Sequence, residues 1–213
     1  FSMNFDAYSN FWNTLIPAGY ILIFPKTEIG PVPFPSHGDF AADMIYALNF
    51  LKSQSSNAGS IFFNKIDTAN TAFMGHSMGG GCSFLAAANN SSIKTVIGFA
   101  PAETNPSAVN AAQQVSVPTL IFWGSKDNVT PANTNAEAIF NAASSSCKTY
   151  VTIDNASHCG FAESNFLCEF GETSVCLGCS FIARNAQHSF TFDILLPWLN
   201  FFLKAECTEF DVF

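Results

Sequence analysis

Thr71-Ala72-Phe73-Met74-Gly75-His76-Ser77-Met78-Gly79-Gly80-Gly81-Cys82-Ser83-Phe84-Leu85-Ala86-Ala87-Ala88 decides how this chain folds. An apolar run leads into Gly75-His76-Ser77-Met78-Gly79, and a small-residue stretch follows, so the segment reads as strand, tight turn and helix with Ser77 at the apex. A serine there takes a strained backbone conformation, and glycines two before and two after it leave room for the turn. The hydroxyl is lifted above the sheet. The backbone N–H of Met78, in the first turn of the new helix, lies where a negatively charged oxygen would be stabilised.

Working outward, the runs Tyr20 to Phe24, Thr71 to Met74, Thr95 to Phe99, Thr119 to Trp123 and Tyr150 to Ile153 are short, apolar and rich in β-branched or aromatic residues. Each reads as a buried strand. Between them, Phe40, Met44, Ile45, Leu48 and Leu51 form a helical stripe, Ala132 to Ala143 a shorter helix, and Phe190 to Lys204 a terminal helix that Pro197 kinks or splits. Ser53 to Ser60 reads as a surface loop, and Gly30 to Pro35 as a stiff extended connection. The segment Cys159 to Gln187 shows no clear periodicity. Alternating strands and helices predict an α/β fold with a mostly parallel sheet, helices on both faces, and reactive loops at the carboxyl ends of the strands. No internal repeat or linker divides residues 1–213, so one domain is expected.

A serine hydroxyl is a poor nucleophile at neutral pH, so a base must take its proton and an acid must hold that base in the right tautomer. Asp127 follows the fourth predicted strand in Gly124-Ser125-Lys126-Asp127-Asn128-Val129-Thr130-Pro131, and His158 follows the fifth in Asp154-Asn155-Ala156-Ser157-His158. The order Ser77, Asp127, His158 is that of an α/β-hydrolase. Among the competitors, His188 precedes the last predicted helix, where a surface or capping role fits, and His37 lies in the Pro-rich connection. Asp154 ends a strand close to His158 and suits a turn cap.

The balance of 8 basic against 16 acidic residues, a net charge of -8, disfavours phosphate backbones and anionic lipid surfaces, so no nucleic-acid partner is expected. No apolar stretch approaches the length that crosses a bilayer, the longest, Ile194 to Leu203, being interrupted by Pro197 and Asn200. The amino terminus, beginning Phe1-Ser2-Met3, has neither the basic start nor the apolar centre of a secretion signal. All of the 7 cysteines except Cys82 (Cys147, Cys159, Cys168, Cys176, Cys179 and Cys207) lie beyond residue 146, which predicts disulfides and an extracytoplasmic or secreted location. Cys82, one turn into the helix after Ser77, is the expected unpaired thiol, and the pairing of the rest stays open. A rival use of Cys159, Cys168, Cys176 and Cys179 is a metal or redox site, since Cys176 and Cys179 have the two-residue gap of zinc ligands.

These residues resemble the polyester hydrolase and cutinase branch of the α/β-hydrolases, close to bacterial PET hydrolases and dienelactone-hydrolase-like esterases. The resemblance covers nearly the whole chain and is strongest at Lys65-Ile66-Asp67-Thr68-Ala69, Gly75 to Gly81, Ala86-Ala87 with Asn89-Asn90, and Val117 to Phe122. It implies acyl transfer through an acyl-enzyme on Ser77, with His158 as base, Asp127 as its partner, no cofactor and no metal. The substrate implied is a small-molecule or polymeric ester, and the chain is expected to be monomeric. Counting back from Gly19-Tyr20 places Phe1 where the family's second oxyanion N–H arises, beside that of Met78. Phe1, His76, Met78, Ala102 and Val129 are the implied cleft walls. The family also has strands before the oxyanion loop, so residues upstream of Phe1 are expected.

Two departures bear on substrate. Ala100-Pro101-Ala102 lacks the tryptophan that polyester-degrading members carry after the Ala-Pro pair, and Trp123-Gly124 occupies the region of the family disulfide between the acid and histidine loops. Cys159 could make a different bridge. Small soluble esters are the safer expectation. The rival readings are a hydrolase-fold binding protein without catalysis and a lipase or an enzyme like platelet-activating-factor acetylhydrolase.

Overall fold

The computed structural model describes residues 3–26 and 36–208. Four strands, β1 (Ala72–His76), β2 (Thr95–Phe99), β3 (Thr119–Gly124) and β4 (Lys148–Ile153), form one sheet in the order β1-β2-β3-β4. All three neighbouring pairs are parallel, with Gly75 opposite Gly98, Gly98 opposite Ile121 and Ile121 opposite Tyr150. Parallel neighbours need a crossover, and the helices α3 (Met78–Ala88), α4 (Ala108–Ala112) and α5 (Ala136–Ala142) supply one between each successive pair. They precede α6 (Phe166–Val175) and α7 (Arg184–Lys204), and α1 (Ser9–Leu15) and α2 (His37–Ser56) come before the sheet.

Successive strand side chains point to opposite faces, and the two cores sort accordingly. Val96 and Ile121 join Phe73, Phe84, Leu85, Leu48 and Ile139 on the α2–α5 face. Ile97, Phe99, Leu120 and Phe122 join Phe11, Leu15, Leu195 and Trp198 on the face covered by α1 and α7. A sheet buried on both sides explains why the strands read as continuous apolar runs. α3 is buried from Gly80 to Ala87, which its Gly- and Ala-rich sequence permits. On the other face Trp198, fully buried, donates its Nε1–H to Thr95 Oγ1 at 2.8 Å and ties α7 to the start of β2.

Five expectations are corrected. Tyr20 to Phe24 forms no strand and pairs in no ladder among the described residues. Its alternation reflects one-sided packing: Tyr20 and Leu22 lie against the α1/α7 core while Ile21 and Ile23 are exposed. α2 continues to Ser56, so only the end of the Ser53–Ser60 loop is non-helical. Pro197 neither ends nor divides α7. The Cys-rich segment contains α6, capped by Asn165 Oδ1 on the Leu167 and Cys168 N–H groups. Its apolar side, Phe166, Phe170 and nearby Leu177, faces solvent, which is why no buried-helix period was legible. Finally, the cysteines pair as Cys159–Cys168 and Cys176–Cys179, leaving Cys147 and Cys207 unpaired along with Cys82. Those pairs occupy all four sulfurs of the rival metal site. The Gly30–Pro35 connection and Phe1 lie outside the described residues.

Candidate active site

The loops after β1, β2, β3 and β4 all open at the carboxyl edge of the sheet, the position where open parallel sheets hold their ligands. Ser77 lies between β1 and α3 with φ 57° and ψ -123°, a conformation in which only a heavily constrained non-glycine residue persists. Its backbone is clamped from three sides. Ser77 N–H donates to Phe99 O at 2.9 Å, and Ser77 O accepts from Gly81 N–H at 3.1 Å and Ala102 N–H at 2.9 Å. A Cβ on residue 75 would run into the Gly79 backbone, and one on residue 81 into Ala102 O, so these two glycines let the helix close over the strand end. Gly79 differs from the sequence expectation, because its Cβ position meets nothing within 4 Å. Met78 opens α3, and its N–H is one of the first-turn donors that a helix leaves without an internal acceptor.

Asp127 and His158 meet. His158 Nδ1–H donates to Asp127 Oδ2 at 2.8 Å, with Asp127 and His158 each 3% exposed. The other carboxylate oxygen, Oδ1, accepts from Val129 N–H at 2.8 Å and Thr130 N–H at 2.9 Å, an Asx turn that sets the carboxylate's direction. A carboxylate with both oxygens occupied holds the imidazole in the tautomer that leaves Nε2 as the acceptor. His158 spends Nδ1 on this contact, and among the described residues no hydrogen bond joins it to Ser77 Oγ. Such bonds are often long before substrate binds.

Asp127 has a partner that its sequence context did not single out. Thr130 Oγ1 donates to Asp127 Oδ2 at 2.8 Å and lies 3.1 Å from His158 Nδ1, so one hydroxyl touches both members of the pair, with Ala100 O a further 3.4 Å contact. Its three-residue spacing from Asp127, the usual reach of an Asx turn, was the available signal. Gln187 was also missed: from α7 it accepts the Ser157 N–H at 3.1 Å and donates to Ser157 O at 2.9 Å, holding the residue before His158. Glu172, on α6, accepts the Cys159 N–H at 3.1 Å beside the Cys159–Cys168 bridge. No local sequence pattern announces a contact across such separations.

Residues 17–189 match the model of the PET hydrolase-like family. The chain belongs to the PET hydrolase-like family. It is 35% identical over 104 residues to a cutinase of Thermobifida alba, 34% over 109 residues to a cutinase of Thermobifida fusca, and 32% over 116 residues to a bis(hydroxyethyl) terephthalate hydrolase of Streptomyces coelicolor. These stretches cover 48%, 51% and 54% of this chain but 34%, 35% and 34% of the relatives, so the chain matches about a third of their length.

For a PET hydrolase-like chain, the expected cleft walls divide. Met78 is half-buried and Val129 is 37% exposed, both reachable by a ligand. Ala102 is buried, and its part in the site is the backbone bond to Ser77. His76 differs from the expectation of a cleft wall: it is 6% exposed, with Nδ1 3.0 Å from Tyr8 Oη and Nε2 3.0 Å from His158 O, so its ring is turned into the protein. Burial, then the neighbouring His158, drives its pKa well below the ordinary histidine value, so it is neutral. Of the passed-over acids and bases, Asp154 is exposed and bonds Ser125 and Asn155, while His188 lies within α7 with Nε2 on Ala162 O. Cys82 is fully buried, and burial pushes its thiol up to about 12, which leaves it inert. No helix among the described residues is long and apolar enough to cross a membrane.

Proposed function

We propose that this chain, read as one α/β-hydrolase domain over residues 1–213, is a serine ester hydrolase acting through Ser77, His158 and Asp127. The observation that supports this best is the buried Asp127–His158 contact at 2.8 Å, one loop away from a serine held at φ 57°. In this reading His158 Nε2 takes the Ser77 proton as the hydroxyl attacks the ester carbonyl. The Met78 N–H, with that of Phe1, receives the oxyanion. Asp127 stabilises the imidazolium, His158 returns the proton to the leaving alcohol, and water releases the acid by the same steps in reverse.

The substrate class we infer is a carboxylic ester with an uncharged acyl part, because the reachable walls Met78 and Val129 carry no charge. Cutinase and terephthalate-ester hydrolase relatives extend the reading to polyesters, while the missing aromatic after Pro101 favours soluble esters as the better substrates. Two disulfides support an extracytoplasmic location. Ser77→Ala should abolish hydrolysis of a graded series of p-nitrophenyl esters and of a polyester film, and should abolish labelling by a fluorophosphonate, with the fold intact by circular dichroism. Undiminished turnover in that variant would refute the assignment.

A further inference from the structure

His76 adjoins Ser77 in the chain but is turned into the protein, its ring centroid 4.6 Å from that of His158 and 6.0 Å from that of Phe161. The polar contacts fix its protonation. His158 O can only accept, so His76 Nε2, 3.0 Å away, carries the hydrogen and donates it. His76 Nδ1 is then a bare acceptor, and the Tyr8 hydroxyl, 3.0 Å away, donates to it. Tyr8 stays protonated because burial raises its pKa, and His76 stays neutral for the same reason. The result is a one-way chain, Tyr8 O–H to His76 Nδ1 and His76 N–H to His158 O, running from the segment before α1 to the main chain of the base.

We propose that His76, locked in this tautomer by Tyr8, is a positioning residue for His158: it holds the backbone of the base so that the imidazole can reach Ser77 and Asp127 together. This rests on the reading of Ser77, Asp127 and His158 as the catalytic set. Asp127 fixes the imidazole at Nδ1 and Gln187 fixes Ser157, but the carbonyl of His158 itself is held by His76. A neutral neighbour also matters electrically. When His158 becomes an imidazolium, a second positive ring at this centroid distance would oppose it, and a neutral N–H donor does not.

The proposal separates His76 from a cleft wall, and kinetics on a soluble p-nitrophenyl ester distinguishes the two roles. His76→Leu and Tyr8→Phe should each lower kcat by between about tenfold and a hundredfold with KM unchanged, the size expected when a catalytic group is displaced by a fraction of an ångström. His76→Gln, whose amide can donate to His158 O and accept from Tyr8, should recover most of what His76→Leu loses. A raised KM at unchanged kcat, or a glutamine variant as poor as leucine, would overturn the proposal. If His76→Leu does not fold, as judged by circular dichroism, Tyr8→Phe decides, since it removes one oxygen and keeps the ring. Ser77→Ala in parallel separates the two failures: activity surviving in Ser77→Ala sinks the triad, whereas a dead Ser77→Ala beside a KM-only effect at His76 sinks only the positioning role.

Discussion

Thr130 donates its hydroxyl to Asp127 Oδ2 at 2.8 Å, onto the same carboxylate oxygen that receives the His158 N–H. The Asp127 carboxylate, itself 3% exposed, is therefore satisfied by two backbone amides, one hydroxyl and one imidazole. Removing one donor leaves a charged oxygen underbonded away from water.

Thr130→Val keeps the branched shape and deletes that donor. A hydrogen bond to a charged group contributes about 1.5–3 kcal/mol, so urea denaturation should show a loss of that order. Ester hydrolysis should fall about tenfold, since a weaker hold on Asp127 is passed to the base. Unchanged stability and rate would show that solvent replaces the hydroxyl.

The two outer glycines of the elbow should behave differently. Gly75→Ala places a methyl into the Gly79 backbone and should cost more than about 3 kcal/mol or prevent folding. Gly79→Ala meets open space in the first turn of α3 and should be neutral or stabilising by up to about 1 kcal/mol, from helix propensity. Thermal unfolding of both variants tests this, and equal damage from the two would contradict it.

The Cys159–Cys168 bridge closes a short loop, with a sequence separation of 9, immediately after the base. Chain-entropy reasoning gives about 2.5 kcal/mol for a loop of that size. Cys159→Ser with Cys168→Ser should lower the midpoint by about 5–10 °C for a domain of this length, measured by calorimetry. Glu172 still accepts the Cys159 backbone N–H in that variant, so the base loop should stay in place and kcat should fall by less than about threefold.

Buried, neutral His76 makes stability depend on pH. Its folded pKa lies well below the ordinary value of 6.5, so below pH 6.5 the unfolded chain binds a proton that the folded chain refuses. Unfolding then takes up protons, and stability is full above pH 6.5 and declines as pH falls below it, at up to about 1.4 kcal/mol per unit from this residue. His188, whose pKa burial also lowers, acts in the same direction. Denaturation at pH 7.5 and pH 5 should show a smaller loss in His76→Gln than in the unaltered chain; identical losses would mean that His76 protonates freely in the folded state.

Much of the site was legible because its signals are local. The elbow is one contiguous segment, in which glycine spacing, an apolar approach and a small-residue helix report the backbone directly. The meeting of Asp127 and His158 was foreseeable because each follows a strand, and parallel strands deliver their loops to one edge of the sheet. Strand β2 was readable at its observed bounds, Thr95–Phe99, because burial on both faces demands an unbroken apolar run.

The sequence by itself determined the alternating architecture, the serine at its turn, and the placement of Asp127 and His158 in the loops that follow β3 and β4. Tertiary structure alone decided which cysteines pair, that the Tyr20–Phe24 run finds no ladder among the described residues, and that α6 turns its apolar side outward. It also decided that His76 faces inward to Tyr8 and the His158 carbonyl, and that Thr130 lies against both Asp127 and His158. The physical reason is range. Backbone conformation and strand burial leave a trace in neighbouring residues, whereas a hydrogen bond between groups 68 or 82 positions apart depends only on where folding brings them.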